Sequence, residues 1–194
     1  MFQLDPNKNY PKKLYSKAVI RFQDCDPLRH LNNAKYFDYF FNAREDQVAE
    51  VYQFDYNDYF EHNQTSWVVY NHQIAYVSSA KVSEWVKIIS SIIYYNENTI
   101  VTEFVMTDED CKTLRAVLWT TSKYINVPSG KKTNHQPEVQ RYLETICVEG
   151  VDFENITLNS RIKTIKKELL EGVFIATMDI ATMDIATMDI ATME

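Results

Sequence analysis

Two aspartates separated by one residue, Asp24 and Asp26, open the stretch of this sequence where chemistry is easiest to place. In an extended chain the two carboxylates face one side and Cys25 faces the other. A helix is predicted to begin close behind them, capped by Asn33. The start of a helix carries unpaired backbone N–H groups and the positive end of the helix dipole. Such a site can hold a developing oxyanion next to a base.

These carboxylates also have a purely structural interpretation, because aspartates commonly close turns through hydrogen bonds to nearby backbone. His30, Asn33 and the dense aromatic residues of the following helix favour the functional interpretation. Cys25 is a poor candidate nucleophile, since neighbouring carboxylates raise the pKa of a thiol. We therefore expect the chemistry to come from a carboxylate rather than from the thiol.

The elements that must position these residues are predicted from the spacing of apolar residues. A short strand is expected over residues 16–23, then the long helix, then a loop or frayed extension over residues 53–64. Four strand-like runs follow, joined by connections short enough for hairpins, which predicts an antiparallel meander. They cover residues 67–78, 84–95, 99–107 and 113–127. Pro137 opens a second helix. This order predicts an α+β fold with a long helix against one curved antiparallel sheet, although periodicity alone also allows other α+β folds.

The motif region resembles the signature of the 4-hydroxybenzoyl-CoA thioesterase branch of the hotdog-fold superfamily. The resemblance spans roughly residues 15–149, and its motif reads Asp24-x-Asp26-x-x-x-His30-x-Asn32-Asn33-x-x-Tyr36, with Arg44 beyond it. It implies the hotdog fold, a curved antiparallel sheet wrapped around a long central helix. It also implies an acyl-CoA thioesterase that cleaves a thioester to a free acid and CoA. The family's proteins are homodimers or homotetramers with each active site at a protomer interface, so a homo-oligomer is expected here.

The resemblance assigns a role to each candidate residue. Asp26 corresponds to the catalytic carboxylate, acting as general base on water or as nucleophile at the thioester carbonyl. The backbone N–H groups near Asn33, Ala34 and Lys35 would bind the substrate by polarising that carbonyl. His30 and Asn33 would orient the loop or Asp26. A structural histidine bonded to backbone is an equal alternative for His30.

Two positions depart from the family pattern. Arg29 stands where the family has glycine, and Phe41 stands where an acidic residue is frequent. Glycine readily adopts a positive φ, which arginine tolerates poorly. Either the loop has a different shape in this chain, or Arg29 makes a substrate contact of its own, with a nucleotide phosphate.

Composition narrows the classes of function that this chain can have. Its net charge of −7 argues against nucleic acid or an anionic membrane as a partner. Three glycines leave no glycine-rich phosphate loop, and His62, His72 and His135 lack metal-ligand spacing, so neither cofactor nor metal is expected. We find no signal peptide and no apolar run near the roughly 20 residues that span a bilayer. Together with three scattered cysteines, these features predict a cytoplasmic protein.

The chain divides into four predicted segments. Residues 1–14 form a polar leader, residues 15–149 the hotdog thioesterase domain, residues 150–172 an amphipathic extension and residues 173–194 a low-complexity tail. The extension has apolar residues at helical spacing and could pack on the domain or on a partner. The tail repeats Ile-Ala-Thr-Met-Asp, and this period gives no apolar stripe on a helix or a strand. The tail is therefore predicted to be unstructured.

Two other functions fit the same sequence. The first is hydrolysis of acyl groups carried on acyl carrier protein, which requires a basic docking surface and is less favoured by an acidic chain. The second is a non-catalytic module that binds acyl-CoA, in which Arg29 and Phe41 would mark a lapsed active site.

Overall fold

The structure is a computed structural model that describes residues 10–176. Residues 1–9 of the predicted leader and residues 177–194, which hold most of the predicted tail, lie outside the described residues. Tyr10 and Leu14, both inside the predicted leader, are buried in the core. The limits of the four segments stay predictions.

Within residues 10–176, six antiparallel strands form one sheet. They are β1 (Lys13–Val19), β2 (Thr65–Tyr76), β3 (Trp85–Tyr95), β4 (Thr99–Asp108), β5 (Leu114–Asn126) and β6 (Lys131–Lys132). Their order across the sheet is β1-β3-β4-β5-β2, and the short β6 pairs with β5. β1 and β2 are therefore the two edges of the sheet.

The predicted antiparallel meander is wrong in one pairing. β3, β4 and β5 are consecutive neighbours, but β2 pairs with β5 instead of with β3. The segment between β2 and β3 pairs with the motif loop instead. Lys81 forms an isolated antiparallel β-bridge with His30, and the Ala80 carbonyl accepts a hydrogen bond from the N–H of Leu31. Alternation along a strand indicates which face is buried, whereas the choice of neighbouring strand depends on contacts distant in sequence.

The helices of the described residues are α1 (Tyr36–Gln47), α2 (Tyr56–Asn63), α3 (Pro137–Ile146), α4 (Leu158–Leu170) and α5 (Val173–Ala176). α1 follows a 3-10 turn at Asn33–Lys35 and continues through a π-helical turn at Val48–Tyr52. Across residues 10–176 we find no helix with the length and apolar character needed to cross a membrane.

Three local predictions need correction. The first strand covers Lys13–Val19 rather than residues 16–23, because residues 22–24 turn away as a 3-10 helix. Asn33 does not cap the long helix: it lies inside a 3-10 turn that Asn32 caps by accepting a hydrogen bond from the N–H of Ala34, and α1 itself begins after Lys35 without a side-chain cap. Residues 53–64 are not only loop, because Asp55 caps α2 within them.

α1 packs against one face of the sheet and α4 against the other. Phe40 of α1 is buried among Ile88 of β3 and Phe104 of β4. The next residue along β3, Ile89, faces the opposite side and packs against Ile165 of α4. Each such side chain contributes about 1.5–3 kcal/mol when fully buried. The predicted α+β architecture is confirmed: a curved antiparallel sheet around a long helix, which is the hotdog fold.

A buried ion pair holds α4 on its face of the sheet. The guanidinium of Arg161 lies 2.9 Å from the Oε1 of Glu103 on β4, and both side chains are almost completely buried. The indole N–H of Trp119 donates to the same carboxylate. The predicted extension thus contains a helix that packs on the domain itself.

Candidate active site

A tight turn at residues 26–30 fixes the carboxylate of Asp26. Its Oδ1 accepts hydrogen bonds from the backbone N–H groups of Leu28, at 2.9 Å, and His30, at 3.0 Å. The backbone closes the same turn, because Asp26 N–H donates to the His30 carbonyl and Arg29 N–H donates to the Asp26 carbonyl. Asp26 is half-buried, and its Oδ2 has no hydrogen-bond partner among residues 10–176. One oxygen is therefore held in place while the other is available to react.

Arg29 has the left-handed conformation that the family's glycine would supply. Its φ is 62°, and its side chain is exposed. The loop thus keeps the shape expected for glycine, at a cost of about 1–2 kcal/mol for a residue with a Cβ. This cost is tolerated because the turn is held by the hydrogen bonds that position Asp26.

The 3-10 turn before α1 contains the predicted carbonyl site. Two of its N–H groups are already occupied: Ala34 N–H donates to Oδ1 of Asn32, and Lys35 N–H donates to the Asn32 carbonyl. The N–H of Asn33, the first residue of the turn, has no partner in the part of the chain that the structure describes. The Asn33 carbonyl accepts a hydrogen bond from the hydroxyl of Tyr76 on β2.

The other aspartate of the motif, Asp24, has structural partners. Its Oδ2 accepts a hydrogen bond from the Tyr39 hydroxyl at 2.9 Å, and its Oδ1 lies 3.8 Å from the Lys35 ammonium. Burial, together with this carboxylate, raises the pKa of Tyr39 to about 12. Lys35 also donates to Asp38 on α1, which raises the pKa of the lysine. Asp24 therefore ties the turn to α1, and the charge of Lys35 is already shared between two carboxylates.

The Cys25 thiol has a raised pKa, as its neighbouring carboxylates predict. Burial raises its pKa, and the charges of Asp24 and Asp26 raise it further. A thiol with a raised pKa is less ionised at neutral pH and is a weaker nucleophile.

Two cavities border α1, and Asp26 lines neither of them. A polar cavity of about 460 Å³ lies between β1 and the start of α1, with Asp24, Lys35 and Tyr39 in its wall. A smaller cavity of about 210 Å³ lies farther along α1 and is mostly apolar. The second is called the aromatic cavity below.

His72 belongs to this region although its sequence context does not reveal it. The imidazole of His72 packs on the rings of Phe37, at 5.1 Å, and Phe41, at 5.6 Å, and its Nδ1 lies 3.1 Å from the Thr120 hydroxyl. Burial lowers its pKa, which favours the neutral ring. A break in register between Val69 and residue 71 turns His72 toward α1. Nothing in the sequence signals this irregularity.

Of the predicted site residues, the structure brings Asp26, Arg29 and His30 into one turn and places Asn33, Ala34 and Lys35 in the next. His30 contributes its backbone N–H to Asp26, whereas its imidazole has no hydrogen-bond partner among the described residues. Within residues 10–176 no group of three or more acidic, histidine or cysteine side chains is arranged to hold a metal ion.

Comparison with known families decides which proteins this chain is related to. The sequence family described as the thioesterase-like superfamily matches residues 20–143 of this chain. That range includes the whole motif, α1 and the strands from β2 to β5. This chain belongs to that superfamily. Among curated proteins, no sequence gives a significant match.

Solved structures agree with the membership in the thioesterase-like superfamily. YbaW, a probable thioesterase from Escherichia coli, is 23% identical with a TM-score of 0.61, over 69% of this chain and 98% of that one. The 12:0-ACP thioesterase from Umbellularia californica is 14% identical with a TM-score of 0.67, and the match covers 75% of this chain and 55% of that one. SAV2348 from Staphylococcus aureus, solved in complex with CoA, is 11% identical with a TM-score of 0.65, and the match covers 78% of this chain and 98% of that one. At these identities the likeness establishes the hotdog fold.

Proposed function

We propose that this protein is an acyl-CoA thioesterase of the 4-hydroxybenzoyl-CoA thioesterase type, which hydrolyses a thioester to a free acid and CoA. The observation that carries the proposal is the state of Asp26. One carboxylate oxygen is anchored by two backbone N–H groups, and the other has no partner among residues 10–176. Membership in the thioesterase-like superfamily and the likeness to a protein solved with CoA support the same reaction.

In this reaction Asp26 acts on the thioester carbonyl carbon and Asn33 on its oxygen. The free Oδ2 either removes a proton from the attacking water or attacks the carbon itself, forming an anhydride that water then opens. The carbonyl oxygen gains negative charge as the new bond forms, and the unpaired N–H of Asn33 stabilises it. Breaking of the C–S bond then gives the free acid in the first route, where Asp26 passes the water's proton to the departing thiolate of CoA. In the second route it gives the anhydride, and the thiolate takes its proton from solvent before water opens the anhydride.

The other predicted residues support this chemistry from nearby. His30 positions Asp26 through its backbone N–H. Arg29 is exposed and makes no ion pair within the described part of the chain, so it is available to a phosphate of CoA. Ala34 and Lys35 form the helix start that orients Asn33, and their own N–H groups are occupied.

We further propose a homodimer joined at the edge strand β2, with a homotetramer as the larger alternative. β2 exposes apolar side chains, including Val68, Val69 and Tyr70, along an edge with no neighbouring strand in the described chain. Exposed edge strands are ready to pair with another chain. Asp26 lines neither of the two cavities beside α1, which fits a binding site that a second protomer completes.

We also propose a cytoplasmic location. Cys25, Cys111 and Cys147 are all free thiols, which suits a reducing compartment.

The reaction is tested by measuring release of free thiol from short, long and aromatic acyl-CoAs. Asp26→Asn is expected to lose on the order of a hundredfold or more in kcat, the usual contribution of a positioned base. Glu45→Gln, which also removes a carboxylate but at an exposed position of α1 that lines neither cavity, is the control and should retain the wild-type rate. Equal rates for wild type and Asp26→Asn would remove Asp26 from the mechanism.

Two further measurements separate the alternatives. Matched acyl groups on CoA and on acyl carrier protein are compared, and a higher kcat/KM with the carrier protein would favour that substrate. Saturable binding of acyl-CoA without release of thiol would instead identify a binding module.

A further inference from the structure

The aromatic cavity contains a cation among apolar walls. It is bounded by α1, the inner face of the sheet and α3, and its volume is about 210 Å³. Phe54, Trp67, Ile92 and Ile146 contribute to its lining. It reaches the surface at Val69 of β2, which is half exposed.

The cation is the guanidinium of Arg44. Its Nη1 donates to the hydroxyl of Ser90 at 3.1 Å, and its Cζ lies 5.6 Å from the centre of the Tyr52 ring. Neither contact neutralises its charge, and no carboxylate pairs with it in the part of the chain that the structure describes. Phe41, one turn earlier on α1, is also in the cavity wall. A cation next to apolar walls with no counter-ion favours an anionic ligand.

The cavity lies on the path that an acyl group would follow from the proposed reaction site. Phe37, Phe41 and Arg44 follow one another on α1 at spacings of four and three residues, so they lie along one side of the helix, and Asn33 lies in the 3-10 turn just before it. From Asn33 to Arg44 the helix rises roughly 17 Å, at about 2.0 Å per residue in the 3-10 turn and 1.5 Å in α1. The rings of Phe37, Phe41 and His72 line the first part of this path.

The length of this path sets the length of the acyl group. An extended carbon chain advances about 1.25 Å per bond, from bonds of about 1.5 Å and angles near 111°. After allowing about 3 Å for a hydrogen bond to the guanidinium, a chain of about twelve carbons fits between the carbonyl site and Arg44. The cavity of about 210 Å³ would hold the far part of this chain, and the part nearer the carbonyl would lie against the rings of Phe37 and His72.

We infer that Arg44 selects acyl groups of about twelve carbons that carry a carboxylate at the far end. A carboxylate can accept two hydrogen bonds from one guanidinium, and the hydroxyls of Thr102, Thr120 and Ser122 line the same cavity. This inference rests on the proposed thioesterase function, because it places the thioester at Asp26. It names a residue that determines which acyl-CoA is the preferred substrate.

The first test compares dodecanoyl-CoA with dodecanedioyl-CoA, which differ only in the terminal methyl or carboxylate. The wild type is expected to favour dodecanedioyl-CoA by roughly ten- to hundredfold in kcat/KM, the range of a charge-assisted hydrogen bond. Arg44→Gln should lose this preference. Arg141→Gln, an exposed arginine of α3, is the matched control and should keep the preference. A wild type with no preference, or an Arg44→Gln variant that retains it, overturns the inference.

A second pair of variants leaves Arg44 in place. Phe41→Glu puts a carboxylate three residues before Arg44 on the same helix, where the two side chains can pair. This internal ion pair should abolish the preference for dodecanedioyl-CoA. Phe41→Gln introduces a side chain of the same size as glutamate but without its charge, and it should keep the preference. Equal behaviour of the two variants contradicts the role of Arg44.

A binding measurement separates failure of this inference from failure of the proposed function. The probes are two unreactive thioethers, S-dodecyl-CoA and S-(11-carboxyundecyl)-CoA, and the readout is the Kd by calorimetry. If no acyl-CoA releases thiol, the thioesterase proposal fails, yet tighter binding of the carboxylated thioether that is lost in Arg44→Gln still supports the cavity's selectivity. Equal Kd values for the two thioethers overturn that selectivity whatever the enzymatic result.

Discussion

At Arg29 the shape of the backbone matters more than the side chain for holding Asp26. The left-handed φ of 62° directs the N–H of His30 toward the Asp26 carboxylate. A Cβ makes this conformation unfavourable, and the exposed arginine gains no ion pair among residues 10–176 in return. The departure from the family's glycine therefore leaves the turn intact and lowers the stability of the fold.

Arg29→Gly is expected to raise the free energy of unfolding by about 1 kcal/mol, because glycine adopts this φ without strain. Urea denaturation followed by circular dichroism measures the change. The control is Arg21→Gly, an exposed arginine with φ of −80°, where glycine only adds entropy to the unfolded chain and should not stabilise. If Arg29 contacts a phosphate of CoA, Arg29→Gly loses that contact and should also raise KM while leaving kcat unchanged. Equal or lower stability of Arg29→Gly would contradict the strain.

Among the elements, the contact between β2 and the segment before α3 depends on a neutral histidine. His135 is buried, its Nε2 accepts a hydrogen bond from the Trp67 indole N–H, and its Nδ1 lies 3.0 Å from the Asn96 carbonyl. The ring must therefore carry its proton on Nδ1. A second proton on Nε2 would face the indole N–H, so protonation breaks the contact.

Stability is therefore expected to fall as the pH is lowered from 7 to 5. Burial lowers the pKa of His135, so the unfolded chain binds a proton that the folded protein does not. The contribution is complete above the unfolded pKa of about 6.5 and is lost as the pH falls toward the folded pKa. His72, whose pKa is also lowered by burial, adds a change of the same sign.

The measurement is urea unfolding at pH 7, 6 and 5. His135→Gln should reduce the dependence of the unfolding free energy on pH, because glutamine can still accept from Trp67 but does not titrate. His62→Gln, at an exposed position on α2, is the control and should keep most of the wild-type pH dependence. A wild type whose stability does not change over this range would exclude the role assigned to His135.

At the scale of the whole molecule, the two faces and two edges of the sheet have different environments. α1 covers one face and α4 the other, so β3 and β4 are buried on both sides. The edge at β2 keeps Val68 and Tyr70 exposed. Because both faces are covered, the edge at β2 is where we place the contact of the proposed dimer.

Replacing Val68 and Tyr70 together by lysine is expected to convert the proposed dimer into a monomer, because charged side chains on an edge strand oppose pairing. Light scattering after gel filtration gives the mass, and thiol release gives the activity. Activity should fall with the dimer if a second protomer completes the site. Leu170→Lys, at the exposed end of α4, is the control and should leave the mass unchanged. An unchanged mass in the double variant would show that β2 is not the interface.

The sequence by itself determined most of the elements and the position of the turn that contains Asp26. Alternation and helical spacing predicted β2 to β5, α1 and the apolar side of α4, because these periods follow from local geometry. The motif indicated the place of Asp26 and Asn33 at a helix start. The hotdog fold followed from the order of elements and the resemblance, and it is confirmed.

Only the tertiary structure decided which of these elements meet. The pairing of β2 with β5 and the irregularity after Val69 place His72 against α1, and a shift of one residue would have turned it to the other face. The environment of Arg44 likewise depends on Ser90, a residue of β3 that the fold brings against α1. Local patterns report the period of a segment but not its partner, because partners are chosen by packing between residues far apart in the chain.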